Sequence, residues 1–157
     1  MSEHDVGLEH VLALLARSPV HRGLVVQDVM DWILPPLRWR QYVACMSRAT
    51  GELTGFAVWA FVNDETHEAL LKRTRPLRYH EWRAGEHIWV TDFVAPGFGK
   101  TLARVLRDAA IANGLGGRDV HFLRRYAKSE ERRCVDYIPE LHFPSQAGGR
   151  KAWQSTH

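Results

Sequence analysis

The sequence has little cysteine and no long apolar run. Its two cysteines, Cys45 and Cys134, belong to no C-x-x-C pair, and a chain of 157 residues does not need a disulfide scaffold, so we expect reduced thiols. No stretch reaches the roughly 18 apolar residues of a membrane-spanning helix. The N-terminus is acidic before a short apolar segment, unlike a secretory signal. We therefore expect a cytoplasmic location and no stable membrane insertion.

Sequence signatures of metal and nucleotide sites are also missing. None of the nine histidines forms an H-x-x-x-H pair, and the cysteines supply no second half of a zinc site, so we expect no metal. Gly99-Lys100-Thr101 resembles the end of a phosphate loop, but the first glycine of that motif would fall at Val94, which argues against ATP or GTP. Gly97 and Gly99 remain candidates for an anion or oxyanion loop at a helix start.

The composition is that of one globular domain. Hydrophobic residues make up 45% of the chain and six residues are tryptophan, which is enough for one substantial core. We expect a single domain over residues 1–143 and a flexible tail over 144–157, where apolar residues become few. The net charge of +3 and the basic stretch over 124–133 suit an acidic partner, which on charge alone is a nucleic acid, an acidic carrier protein or an anionic membrane.

Hydrophobic periodicity predicts helices first, then a hairpin, then a strand, a helix and a strand. This order predicts an α/β (α+β) fold in which helices flank a central mixed, mostly antiparallel sheet. The predicted helices cover 5–17, about 25 to the Pro35-Pro36 pair, 63 to about 73, and 100–113. The predicted strands cover 41–48, 53–62, 87–94 and 119–125, and 74–86 is predicted to be a loop.

Two polar residues stand in unusual local settings. His21 follows Ser18-Pro19 at the junction of two predicted helices, and Asp92 lies near the end of an apolar strand. An imidazole titrates near neutral pH and can act as a base, while a carboxylate can hold its tautomer. Each residue also has a structural explanation, since histidine can bond nearby backbone at a helix start and aspartate can cap a turn.

Several short motifs lie at defined spacings from about residue 14 to 110. They are Ser18-Pro19-Val20-His21-Arg22, Leu34-Pro35, Gln41-Tyr42, Trp59-Ala60, Trp82, Gly85, Trp89, and Asp92 with Ala95-Pro96. In this order and spacing they resemble the RTX-toxin-activating lysine acyltransferases of the haemolysin-activator type.

The resemblance implies a GNAT-like acyltransferase fold and a protein-lysine fatty acyltransferase that activates an RTX protoxin. It implies acyl carrier protein as acyl donor and co-substrate, no cofactor, internal lysines of the protoxin as acceptors, and a homodimer. It places the catalytic residues at His21 and Asp92, with Ser18 in support. The chemistry agrees, because a protonated lysine amine cannot attack a thioester until a base removes its proton.

The sequence leaves other functions open. His21 can act as a general base or as a nucleophile that carries the acyl group. A GNAT-type acetyltransferase that uses acetyl-CoA on a small amine would share the fold. A non-catalytic binding protein, using residues 124–133 on a nucleic acid, would place His21 and Asp92 far apart. The chain also departs from the family at Gly23-Leu24-Val25 and at Trp32, and its C-terminal third matches poorly.

Overall fold

The computed structural model describes residues 6–72 and 74–123 of the chain. Its α-helices are α1 (Leu8–Arg17), α2 (Val26–Asp28), α3 (Leu34–Trp39), α4 (Asp64–Leu71) and α5 (Gly99–Ala112). Its strands are β1 (Tyr42–Met46), β2 (Leu53–Val62), β3 (His87–Val94) and β4 (Val120–Phe122). A π-helix over Val29–Ile33 joins α2 to α3, and a 3₁₀ turn over Tyr79–Glu81 precedes β3.

The four strands form one mixed sheet in the order β1-β2-β3-β4. The β1-β2 and β2-β3 pairs are antiparallel, and β4 runs parallel to β3. A parallel neighbour requires a crossover connection, and α5 supplies it. The predicted mixed, mostly antiparallel sheet with flanking helices is therefore confirmed, and it is consistent with a GNAT-like acyltransferase fold.

Each face of the sheet has its own apolar core. On one face α5 packs against β1 and β2, in a core made of Ala57, Ile88, Val90, Leu102, Leu106, Ala110 and Val120. On the other face lie α1, the π-helix and the segment around Trp82, in a core that includes Leu14, Ile33, Phe56, Val58, Trp82, Trp89 and Val94. We call these the α5 face and the α1 face. Helices on both faces bury both sides of the central strands.

The helix that was expected to stop at Pro35-Pro36 continues through both prolines, so that prediction is wrong. Pro35 and Pro36 occupy the first turn of α3, where a backbone N–H has no partner to lose and the fixed φ of proline suits the helix. The preceding π-helix over Val29–Ile33 widens the last turn before them. Local helix rules treat this proline pair as an end, whereas here the helical turns run without a break from the π-helix into α3.

Most other boundaries agree with the sequence prediction within a few residues. The side chain of Asn63 caps α4 by accepting a hydrogen bond from the Thr66 N–H at 2.9 Å, as its cap chemistry predicts. The loop predicted over 74–86 contains the short turn at Tyr79–Glu81. Three predictions fall on residues that the structure does not describe. They are the last two residues of the predicted fourth strand (124–125), the basic stretch over 124–133 and the tail over 144–157.

Gly85 stands where two backbone segments come together. Its N–H and that of Ala84 bond to the Phe61 carbonyl, at 3.2 and 2.8 Å. A Cβ atom at position 85 would lie 2.4 Å from the Val62 carbonyl oxygen and 2.5 Å from backbone atoms of Asn63. These atoms belong to the main chain and cannot rotate away, so only glycine fits without displacing the end of β2.

Gly85→Ala should therefore destabilise the protein by about 1–3 kcal/mol, the usual cost of overpacking. Gly23→Ala is the matched control, because a Cβ at Gly23 meets no atom within 4 Å and should leave the unfolding free energy unchanged or slightly higher. Urea unfolding followed by tryptophan fluorescence measures both variants. Equal stability of Gly85→Ala and the parent would show that the backbone contact is not a constraint.

Candidate active site

His21 lies in a tight turn that follows α1. The helix ends at Arg17, and the Ser18 carbonyl accepts hydrogen bonds from the N–H groups of His21 and Arg22, both at 3.0 Å. Pro19 occupies the second position of this turn, where its fixed φ is favoured. The turn places the side chains of Ser18 and His21 side by side, with the Ser18 Oγ 2.7 Å from the His21 Nδ1.

Asp92 reaches the same place because β3 contains an irregularity. Val58 pairs with Asp92, but Trp59 pairs with Val90, so Thr91 is an extra residue in the ladder. Side chains before this bulge alternate normally, with Val90 on the α5 face. Without the extra residue Asp92 would lie on that face too. The bulge turns it to the α1 face, where β-bulges commonly redirect functional side chains.

The three polar side chains form one continuous chain of hydrogen bonds. The His21 Nε2 lies 2.6 Å from the Asp92 Oδ1, and the His21 Nδ1 contacts the Ser18 Oγ. The Asp92 Oδ1 also accepts from the Phe93 N–H at 3.1 Å. His21 is 5% exposed and Asp92 is 4% exposed. Water competes little for these bonds, which strengthens them.

This arrangement fixes the tautomer of His21. A carboxylate oxygen only accepts hydrogen bonds, so Nε2 carries the proton that is donated to Asp92. The lone pair of the neutral ring is then on Nδ1, where it accepts the Ser18 hydroxyl. Nδ1 is therefore the atom of His21 that can take a proton or attack a carbonyl, and Asp92 stabilises the charge that results.

Known proteins resemble this chain over most of its length. The model of the HlyC RTX toxin acyltransferase family matches residues 4–138. The chain belongs to this family. The lysine-acyltransferase RtxC of Vibrio cholerae is 29% identical over 126 residues, covering 80% of this chain and 81% of RtxC.

Two further relatives match a shorter part. The RTX-II toxin-activating lysine-acyltransferase ApxIIC of Actinobacillus pleuropneumoniae is 30% identical over 89 residues, or 57% of this chain and 54% of ApxIIC. The protein-lysine palmitoyltransferase CyaC of Bordetella bronchiseptica is 26% identical over 102 residues, or 65% of this chain and 54% of CyaC. The chain thus spans about half the length of these two relatives.

Several residues of the motifs that resemble the family make hydrogen bonds that hold the fold. The Gln41 side chain donates to the carbonyls of Trp59 and Trp82, at 2.9 and 3.0 Å. The Trp82 Nε1–H donates to the Asp31 carbonyl at 2.9 Å. These bonds tie the π-helix, β2 and the segment before β3 together. The sequence resemblance marks such residues but does not separate this structural role from catalysis.

The glycines predicted to form an anion loop lie at the start of α5. Gly97 has φ +78° in the turn after β3, and Gly99 is the first residue of the helix. A backbone of this kind can present N–H groups to an anion. That Gly97 and Gly99 bind one stays a prediction from the sequence.

The sequence gives no local signal for Thr91, the extra residue that forms the bulge in β3. Its effect on the direction of Asp92 is seen only in the structure.

A cavity of about 260 Å³ lies on the α5 face, and its apolar lining includes Trp59, Phe61, Ile88, Val90, Leu106 and Leu115. His21 lies on the other face, so this cavity does not open onto it.

Within the described residues no set of three or more histidine, cysteine, aspartate or glutamate side chains is arranged to hold a metal. No helix in that part of the chain is long and apolar enough to cross a membrane.

The Asp92 contact should be measurable as stability. Asp92→Ala removes the acceptor of a buried donor and should lower the unfolding free energy by about 1–3 kcal/mol. Asp92→Asn is the matched control, because its side-chain oxygen still accepts the Nε2–H, and it should lose less than half as much. Urea unfolding at pH 7.5 compares them. Equal losses in the two variants would contradict a hydrogen bond from His21 to this oxygen.

Proposed function

We propose that this protein transfers a fatty acyl group from acyl carrier protein to lysine side chains of an RTX protoxin and thereby activates it. The observation that carries the proposal is the buried contact of His21 with Asp92 and Ser18, which supplies an oriented base. Membership of the RTX toxin acyltransferase family supports the acyl transfer, and the names of RtxC, ApxIIC and CyaC support lysine as acceptor.

The proposed reaction starts with the ε-ammonium group of lysine, which is protonated at neutral pH. His21 takes a proton through Nδ1, while Asp92 holds the ring and stabilises the imidazolium. The free amine attacks the thioester carbonyl. The amide C–N bond forms, the C–S bond breaks, and the attacking nitrogen releases its remaining surplus proton to water. The thiolate of the carrier leaves and takes a proton from His21, which restores the neutral ring.

The same geometry permits a second route. The Nδ1 lone pair attacks the thioester first, which breaks the C–S bond and releases the carrier thiolate. The amine of lysine then attacks the acyl-His21 carbonyl, and the bond from that carbonyl to Nδ1 breaks. In both routes Nδ1 is the working atom and the Ser18 hydroxyl must move aside from it. The routes differ in one measurable way, since only the second gives an acylated enzyme when the acyl donor is present without an acceptor.

Other parts of the proposal follow from the family resemblance. They are the homodimer, the cytoplasmic location, the absence of a cofactor, and acyl carrier protein as the donor. The exposed aliphatic side chains of Val25 and Val26, four and five residues after His21, are candidates for contact with the fatty chain. Burial of such side chains against an apolar chain is favourable.

The rival functions make different demands on the site. A nucleic-acid adaptor would not need the 2.6 Å contact between His21 and Asp92, and the basic stretch on which it relies lies outside the described residues. An acetyltransferase that acts on a small amine would use the same base. It predicts tight binding of acetyl-CoA and indifference to acyl carrier protein, which calorimetry with each donor distinguishes.

His21→Ala should reduce lysine acylation by at least about 100-fold, since general base catalysis contributes roughly 10²- to 10⁴-fold. Asp92→Asn should cause a comparable loss because it no longer stabilises the imidazolium, even though it keeps the fold. The assay incubates palmitoyl-acyl carrier protein, an RTX protoxin polypeptide and each variant, and mass spectrometry counts acylated lysines over time. His80→Gln, at an exposed position, is the control and should match the parent.

The proposed function would be contradicted by folded His21→Ala and Asp92→Asn variants that acylate lysine as fast as the parent. So would a parent enzyme that modifies no lysine while it acetylates small amines from acetyl-CoA. Circular dichroism of each variant separates a catalytic loss from unfolding.

Ser18→Ala tests the remaining contact of the ring. It removes one neutral hydrogen bond that orients the ring, worth about 1 kcal/mol. Because the hydroxyl leaves Nδ1 before the reaction, only this orientation is lost, and the rate should fall roughly tenfold or less. A loss as large as that of His21→Ala would instead give Ser18 a direct chemical role. Ser18→Thr keeps the hydroxyl and should restore part of the rate.

A further inference from the structure

Three histidine rings meet where α4, β3 and β4 come together. His67 lies on α4, His87 begins β3 and His121 lies on β4. The rings of His67 and His87 stack with centroids 3.9 Å apart, and those of His67 and His121 are 4.8 Å apart, edge to face. We call these three residues the imidazole cluster. It shares no residue with the contact of Ser18, His21 and Asp92.

Trp89 contacts two rings of the cluster, and its hydrogen bond requires the His67 ring to be neutral. Its Nε1–H donates to the His67 Nδ1 at 3.1 Å, and the His121 ring stacks on its indole at 4.8 Å. The Trp89 indole has only a donor to offer, so His67 must present a lone pair at Nδ1. Protonation of that nitrogen would place one N–H against another and break the bond.

His87 makes a second proton on the cluster costly. Its Nε2 lies 2.7 Å from the Asp64 Oδ1, and its ring stacks on that of His67 with centroids 3.9 Å apart. A cation on either ring would therefore lie directly against the other. The acidic side chains near the cluster are Asp64 and Glu68 on α4 and Asp119 just before β4, and they act against this repulsion.

The titration of the cluster follows from these contacts. Burial, and then the charge of His87, lower the pKa of His67 below its usual range, against the opposing effect of Glu68 and Asp64. Burial, and then His67 and His87, lower the pKa of His121 in the same way, against Asp119. His121 is only 7% exposed, so a proton there has little access to water.

We propose that the imidazole cluster is an acid-sensitive latch, which holds α4 and β4 against β3 near neutral pH and loosens them once more than one of its rings is protonated. The unfolded chain protonates His67 and His121 near pH 6.5, whereas folding lowers the pKa of both. The latch therefore contributes its full stability above about pH 6.5 and loses it as the pH falls below that value. Trp89 is three residues before Asp92 on β3. Loosening of the cluster at low pH should therefore also loosen the packing of the strand that carries Asp92.

The latch depends only on packing and titration, so it stands or falls independently of the proposed acyl transfer. Urea unfolding of the full chain at several pH values between 8 and 5 tests it, with His67→Gln as the variant. Glutamine can accept the Trp89 N–H through its side-chain oxygen but takes up no proton. His80→Gln is the control, because it removes an exposed histidine from the 3₁₀ turn.

In the parent, His67 and His121 should each raise the unfolding constant by up to about tenfold for each pH unit below 6.5. His67→Gln should remove the contribution of one histidine, which is up to about tenfold in the unfolding constant per pH unit. His80→Gln should leave the pH dependence of the unfolding constant unchanged. The latch is disproved if His67→Gln and the parent depend on pH alike, or if both substitutions have the same effect.

Two measurements on the parent serve if His67→Gln does not fold. Proton NMR of the imidazole rings should find His67 and His121 titrating below pH 6.5, and ordinary titration of both would overturn the latch. Hydrogen exchange at pH 5.5, corrected for its intrinsic pH dependence, should accelerate at the amides of β4 more than at those of α1. Equal acceleration in both elements would contradict local opening.

Discussion

The site depends on one hydrogen bond, that between His21 and Asp92, which joins residues 71 positions apart. A bond of this length and burial requires the turn after α1 and strand β3 to be positioned to within a fraction of an ångström. The two sheet faces, the bulge and the packing of α1 on β2 together provide that accuracy. Since both residues are almost wholly buried, an error in any of these elements would leave a polar group without its partner.

The irregular backbone features of the chain support this contact. The bulge at Thr91 turns Asp92 to the α1 face. The π-helix before Pro35 connects the segment that follows the Ser18-to-Arg22 turn to the hydrogen bonds made by Gln41 and Trp82. Gly85 lets the segment after Trp82 lie directly on the end of β2. Each is a local departure from regular structure, and such departures are retained in proteins where they position a site.

Titratable groups on the same sheet face have two different tasks. His21 is held by a carboxylate and a hydroxyl, so that its working nitrogen has a defined lone pair. His67 is held by an indole donor and by other imidazoles, so that its neutral form is the one that packs. The difference comes from the partners of each ring: Asp92 stabilises a cation at His21, whereas Trp89 opposes one at His67.

The sequence by itself determined the element order, the mixed sheet and the family, because hydrophobic periodicity and separated motifs can be recognised without coordinates. It also marked His21, Asp92 and Ser18 through the resemblance, although spacing alone did not separate catalysis from capping. The tertiary structure decided that Asp92 faces His21, because simple alternation along β3 would put it on the α5 face and only pairing with β2 defines the bulge. The tertiary structure also decided that the helix passes Pro35-Pro36 and that the rings of His67, His87 and His121 lie together. Both outcomes depend on packing between segments that are distant in the sequence.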